Sequence, residues 1–442
     1  MVRTVSGFGW GLLFAFVFLR PAFALDVRID GFASVVGGAV LDKGEGDIYY
    51  YDEEDVVFKP DSTYGIQLRA DLEPNMSITT QIVGAGEKDY EAEFKWAFMS
   101  YQINDEWRIS VGKTRVPLYM YSDFLDVGYA YHWIRPPRTV YELPFSTLEG
   151  INVEYLTDVG DWTSRLTLVA GATDDEVVEL DSELATRNAL GVAWSMNYDW
   201  FTVRAVFLSA KTSVPFVDDP DAEDLADLMA TLSNAGTLLS SSAVATLFPA
   251  GVFDTYIGVE DDPNLSALVD DIEWVDDRGL YRGVAIAIDY DGYLFSAEYT
   301  QADIKDTFIP TLRSYYVSVG RRIGDWTAYF TFEVDDDRQV DSLVRDIEGS
   351  LPTYQRTGSV DGGAVDAALD AAAAGLNAGR QQMIDGVAAA VASLDLKKET
   401  RSIGVRWDFH PQAAVKAEFK AKYDDTNDVN PRLINVGLDL IF

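Results

Sequence analysis

The sequence predicts an all-β fold, a transmembrane antiparallel β-barrel of about sixteen strands with an inward loop and some helix in its long connections. Three observations carry that prediction. Beyond residue 25, apolar side chains alternate with small or polar ones at a period of two along most of the chain. The connections between the alternating stretches are short and long in turn. Aromatic rings collect beside the short ones.

The first 24 residues are set apart. Arg3 precedes an apolar run from Gly7 to Leu19, and Ala22 and Ala24 supply the small residues that signal peptidase accepts. Residues 1–24 are therefore expected to be a cleaved signal peptide, with the barrel occupying 25–442 and the chain exported from the cytoplasm. The run is too short to span a bilayer well, and Arg20 interrupts it. No later stretch is long and apolar enough for a spanning helix. The Ala-rich segment 363–393 comes closest, and Asp366, Asp370, Arg380 and Asp385 break it.

A period of two means that successive side chains leave opposite faces of a strand. Tyr64, Ile66, Leu68, Ala70 and Leu72 alternate with Gly65, Gln67, Arg69 and Asp71. In the closing stretch Ile434, Val436, Leu438, Leu440 and Phe442 oppose Leu433, Asn435, Gly437, Asp439 and Ile441. The pattern places strands near 27–39, 63–73, 76–85, 91–104, 106–116, 148–157, 161–172, 187–198, 200–211, 280–290, 292–303, 311–323, 325–334, 398–409, 411–424 and 432–442. Tight links such as Glu73-Pro74-Asn75 and Gly324-Asp325 alternate with long ones at 117–147, 173–186, 212–279 and 335–397. That alternation suits a meander with short periplasmic turns and long external loops. Lipid leaves no backbone group unpaired, so such a sheet must close on itself. Trp107, Trp162, Tyr198, Tyr290, Trp326 and Trp407 flank the short turns, where amphipathic rings favour the membrane interface. Apolar residues at helical spacing predict helices within 222–247 and 364–394, packed over the external mouth.

Composition removes other classes. A formal charge of −37 opposes nucleic acid, whose phosphates need a basic surface. The chain has no cysteine, so disulfides and thiolate metal sites are excluded. Only His132 and His410 remain for imidazole chemistry, so no enzyme, metal or cofactor is expected. His132 is either a pH-sensitive pore residue or an ordinary hydrogen-bonded loop histidine. The run Asp424-Asp425-Thr426-Asn427-Asp428 lacks the glycine and distal glutamate of an EF-hand and is expected to be a plain loop.

With an export signal, about sixteen strands, a long loop after the fifth strand and a terminal Phe442, the chain resembles the Gram-negative general porin family. The resemblance covers the whole mature chain at the level of pattern. It implies an outer-membrane homotrimer that passes small hydrophilic solutes and ions. It also implies that Phe442 is an assembly signal for the barrel-assembly machinery, and that loop 117–147 folds into the pore. The loop departs from the common family version, which carries a Pro-Glu-Phe-Gly-Gly-type stretch. A substrate-selective porin with a loop-lined site is the nearest alternative, and a barrel serving as surface adhesin or enzyme a more distant one.

By parity and height, Arg69, Arg406, Lys416 and Lys420 fall on the lumen side of strands that become neighbours on closure. Asp123 and Asp126 of the loop are expected to face them, a constriction carried over from the family by position; the alternative is that these cations pair with Asp71, Asp408, Glu418 and Asp439 and merely keep the lumen wet. Arg165 and Arg204 are secondary lumen candidates. Between 212 and 279 there are fifteen acidic residues against one basic, and between 41 and 62 eight against two. Such loops concentrate cations at the mouth, so mild cation preference is expected. They could also hold divalent ions that bridge to outer-membrane lipid and lipopolysaccharide phosphates.

Overall fold

The computed structural model describes residues 26–41, 48–51, 55–141, 143, 145–177, 182–214, 257–259, 274–305, 307, 310–337, 348–349, 351, 353–360, 362–392, 397–425 and 429–442. The expected signal peptide and the helix expected within 222–247 lie outside the described residues.

Sixteen strands form the closed barrel: β1 (Asp26–Val40), β2 (Thr63–Glu73), β3 (Met76–Ala85), β4 (Ala92–Gln102), β5 (Trp107–Arg115), β6 (Thr147–Val159), β7 (Trp162–Val177), β8 (Ser182–Tyr198), β9 (Phe201–Ser213), β11 (Asp277–Tyr290), β12 (Tyr293–Ile304), β13 (Leu312–Ile323), β14 (Trp326–Asp336), β16 (Lys397–His410), β17 (Ala413–Asp424) and β18 (Arg432–Ile441). Each pairs antiparallel with its neighbours, and β18 returns to β1. Two short strands that the periodicity does not reveal, β10 (Ile257–Val259) and β15 (Tyr354–Arg356), join two of the long connections. The helix expected at 364–394 is present as Ala364–Ala392. It begins where the Asp366 carboxylate accepts from the backbone N–H groups of Val360 and Gly362, at 2.7 and 3.0 Å.

The parity of the sequence becomes the two faces of the wall. Ile434, Val436 and Leu440 are exposed on the outside of β18, whereas Leu433, Asn435 and Asp439 are buried within. Rings near the short turns pair into a belt: Trp326 stacks on Trp407 at 5.3 Å, and Trp162 lies 5.2 Å from Tyr198. Strands β7 and β8 run about five residues further than expected, pairing from Thr173↔Thr186 to Val177↔Ser182 and replacing most of the long loop placed at 173–186. The added residues carry Asp174, Glu176 and Glu183 on one parity, charges that lipid would not accept, while Leu184 on the other is buried. Beyond the lipid a ladder continues on its backbone bonds alone and needs no apolar alternation.

Two sets of close approaches shape the wall. At the seam, Gly31 and Phe442 exchange backbone hydrogen bonds of 2.8 and 3.0 Å, and the Phe442 ring covers the space where a Gly31 side chain would stand. Across β5, β6 and β7, Gly112, Gly150 and Gly171 lie side by side in register. A Cβ on Gly150 would stand 2.6 Å from the Gly171 Cα and closer still to the Ala170 carbonyl. The absence of side chains there lets the three backbones approach closely, near where the loop leaves β5 and returns to β6.

These two sites should respond differently to substitution. Gly150→Val presses on neighbouring backbone, and we expect a loss of about 3 kcal/mol or failure to fold. Gly31→Ala displaces only a mobile ring end and should lose about 1 kcal/mol or less. Guanidinium unfolding of refolded barrels in bilayers, followed by tryptophan fluorescence, checks both.

Candidate functional site

The connection from β5 to β6, residues 116–146, turns into the barrel. It contains 3-10 turns at Ser122–Phe124 and Gly128–Ala130 and a single helical turn, α1 (Arg138–Tyr141). Its partners are inward-facing residues of many strands, which places it across the lumen. Arg204 on β9 donates to the Pro117 carbonyl at 2.7 Å. Glu298 on β12 accepts from the Met120 amide at 3.0 Å and from the Tyr141 hydroxyl at 2.8 Å. The Trp133 indole donates to Thr331 on β14 at 2.8 Å. Lys416 on β17 donates to the carbonyls of Gly128 and Trp133, both at 2.6 Å. The loop comes so close at Gly128 that a Cβ would stand 2.5 Å from an Asp439 carboxylate oxygen.

Apolar packing reinforces these bonds. Val116, Leu118, Tyr119, Tyr131, Trp133 and Val140 of the loop are buried in one cluster with Tyr281, Tyr316 and Tyr329 from the wall. The loop is also clamped from the first connection. Asp61 is 4% exposed and accepts from Arg138 at 2.8 Å and from the Tyr51 hydroxyl at 3.1 Å. Its backbone carbonyl accepts from Arg135 at 2.7 Å. Burial alone would raise the Asp61 pKa, but Arg138, Arg135 and Lys420 together hold it below the usual carboxylate range.

The expected constriction is rearranged by this docking. Lys416 is fully buried and pairs with Asp439 at 2.8 Å, and Lys420 is buried against Glu418 at 3.2 Å. Arg406 donates to the carbonyls of Tyr129 and Tyr131, each at 2.7 Å, and to Asp408. Arg69 is half exposed near the short-turn end and pairs with Asp71 at 3.1 Å, with no loop contact. These four therefore do not form a free basic wall opposite the loop acids. Three of them lie on the side to which the loop is fastened, where its carbonyls and nearby carboxylates take up their charge. Asp126 pairs with Arg115 of β5 instead; burial opposes its ionisation, and Arg115 and Lys95 overcome this and hold its pKa low. Asp123 is exposed and pairs with Arg165 of β7 at 3.6 Å, while Arg165 also reaches Glu154 at 3.4 Å.

Most of the loop's bonds go to β9–β18, and fewer, such as Asp126 to Arg115, Asp123 to Arg165 and Arg135 to Thr63, tie it to the other half of the wall. There lies a cavity of about 860 Å³, lined by Lys88, Glu93, Lys95, Arg115, Asp126, Arg135, Arg138 and Asp174 among others. Positive and negative groups are mixed along its walls. Arg135 and Arg138 come from the loop, and Lys95 and Glu93 from β4.

Sequence reasoning missed Asp61, Arg115, Arg135, Arg138, Glu298 and Glu333. One usable signal lay in the parity itself. Tyr281, Tyr316 and Tyr329 stand on the lumen side of their strands between small or hydroxyl residues, which requires something apolar inside the barrel.

No family model and no curated protein sequence matches this chain. Among solved structures, it is similar to an anion-selective porin from Comamonas acidovorans, with a TM-score of 0.51 and 9% identity over 95% of this chain and 100% of that one. It is also similar to the outer membrane channel DcaP of Acinetobacter baumannii, with a TM-score of 0.50 and 10% identity over 95% and 97% of the two chains. At these identities the likeness establishes the fold. The chain has a porin-type barrel fold of the kind found in Gram-negative outer membranes.

Two measurements probe the docking. Lys416→Met leaves Asp439 without its cation and two loop carbonyls without their donor inside the wall, and undocking should become easier by about 3–5 kcal/mol. Faster proteolysis within 116–146 in an otherwise folded barrel is the expected outcome. His132 packs on Trp133, with ring centroids 3.9 Å apart, and burial, then Lys416 and Arg406, push its pKa down to about 3. The docked loop therefore binds fewer protons than the released one. Docking should be at full strength above the ordinary histidine pKa and weaken as pH falls from there toward 3. His132→Gln should flatten that dependence, read as the acid sensitivity of loop proteolysis.

Proposed function

We propose that the protein is an outer-membrane porin, a passive water-filled channel for small hydrophilic solutes and ions. The observation that carries this reading is the loop fastened to one half of the lumen wall, beside a charged cavity in the other half. Permeation through such a passage depends on its width and on the charges along it. The exposed pair of Asp123 and Arg165 and the mixed lining at Lys95, Glu93, Arg135 and Arg138 are the groups a passing solute meets. Acidic external connections and the net charge of −37 support a mild cation preference.

The reading takes the chain to be non-catalytic. His132 lies 3.5 Å from the Ser318 hydroxyl, but that hydroxyl is 1% exposed and bonded to Thr331 at 2.8 Å, which suits a structural serine. Export through a cleaved signal peptide and assembly through Phe442 rest on the sequence pattern and the family resemblance. The homotrimer rests on the same resemblance. Small outward residues on β1 add little to it, because the rings of Phe442 and Phe58 roof Gly31 and Gly37.

Planar-bilayer recording on the purified barrel tests the proposal. Three equal conductance steps and a reversal potential of cation-selective sign are expected in a salt gradient. Asp123→Asn should reduce the cation preference with the loop still docked. A silent membrane would remove the channel reading, and anion preference would remove the selectivity.

A further inference from the structure

We propose that the upper part of the barrel holds a binding site for a neutral single-ring aromatic molecule, separate from the charged passage. Between the loop's return limb and the inner faces of β8, β9 and β11–β13 lies a second cavity of about 130 Å³. Leu143, Phe145, Leu208, Trp274, Tyr281 and Ile304 contribute to its walls. This is an unusual lining for the inside of an outer-membrane barrel, where inward positions are ordinarily polar.

Four lining side chains carry a polar end, and each has a partner in the protein: Asp303 pairs with Lys305, and Thr212, Trp274 and Tyr281 are hydrogen-bonded. The Trp274 indole N–H donates to the Thr212 hydroxyl at 2.8 Å, and the Tyr281 hydroxyl donates to the Leu118 carbonyl at 3.3 Å. Both rings are thus fixed in place with their bonding needs met, leaving carbon surface toward the cavity. Phe145 adds a third ring. Such walls offer face and edge contacts to another aromatic ring, and little to a charged or strongly polar solute.

Size selects the occupant further. An apolar protein cavity of about 150 Å³ stays dry and accepts benzene, so a chamber of this volume suits one six-membered ring. Left empty, its lining forgoes dispersion contacts on one side, which a ring of that size restores. Access is also defined. Leu143 lines both this chamber and the large charged cavity, so its side chain stands between them. The site does not depend on whether the barrel conducts ions.

The probe is iodobenzene, soaked into crystals of the full-length mature barrel and located by the anomalous signal of iodine. A peak inside the chamber beside Leu208 and Tyr281 is expected for the wild type. Ala210→Phe, which projects a ring into the same space from β9, should abolish the peak while leaving the heat-shifted gel migration of a folded barrel. If that variant does not fold, Ala302→Leu on β12 is held to the same expectation. No peak in the wild type would overturn the proposal, as would a peak that survives the filling substitution. Density there for a lipid or detergent chain, or for the protein's own residues, would overturn it equally.

Discussion

Hydrocarbon offers no partner for a backbone N–H or C=O, so every strand must find another strand and the two ends of the sheet must find each other. The remaining architecture depends on that closure. From Phe32↔Ile441 to Val40↔Leu433, β1 and β18 pair without interruption, and the Gly31 and Phe442 bonds extend the seam to the last residue. Because side chains alternate strictly, a slip of one position between the two strands would turn either Ser34 or Asp439 toward lipid. In the observed register they meet inside, with the serine donating at 2.6 Å. Asp439 then stands where Lys416 needs it, so the pin that holds the loop depends on how the chain ends meet.

The loop imposes a second constraint, opposed to the first. Closure asks for a wet interior, whereas a segment of some thirty residues crossing that interior needs something to pack against. The wall from β11 to β14 supplies tyrosines, whose rings bury against the loop and whose hydroxyls tolerate a partly polar setting. Carboxylates of Glu298 and Glu333 reach the loop from the same strands. The barrel is therefore lined in two ways, apolar and hydrogen-bonded under the loop, and charged and open on the opposite side. The close backbone approach at Gly112, Gly150 and Gly171 lies beside the points where the loop leaves and rejoins the wall, which links the two constraints.

The strands were legible because lipid enforces a local rule. Each residue's face depends on its neighbours two positions away, and the sixteen stretches found by alternation are the sixteen strands of the barrel. Where lipid ends the rule lapses, which is why β7 and β8 outrun their expected limits. The helix Ala364–Ala392 also obeys a local period. Docking of the loop does not. Met120 and Glu298 are 178 positions apart, and Lys416 and Gly128 are 288 apart. Nothing within reach of either residue announces the partner. Only the inward tyrosines hint that the lumen is crossed, and they do not say by what.

The same distinction explains where charge remains available to a solute. Parity and height along a strand find every inward cation, but they do not tell whether the crossing segment lies against it. A lysine under the loop is desolvated, and it is stable there only while carbonyls and a carboxylate surround it, as they surround Lys416. A solute cannot compete for a group held so closely and shielded from water. Asp123 and Arg165, by contrast, are 58% and 44% exposed and lie 3.6 Å apart. Between such solvated charges the attraction is worth about 1 kcal/mol or less, so either can turn from its partner toward a passing ion with little loss. The charges that stay open to solvent therefore include those of β4 to β7, such as Lys95 and Arg165. Lys416 and Lys420 of β17 are buried against carboxylates, Lys416 also against carbonyls of the loop, whereas Arg406 of β16 also borders a smaller cavity beside the loop.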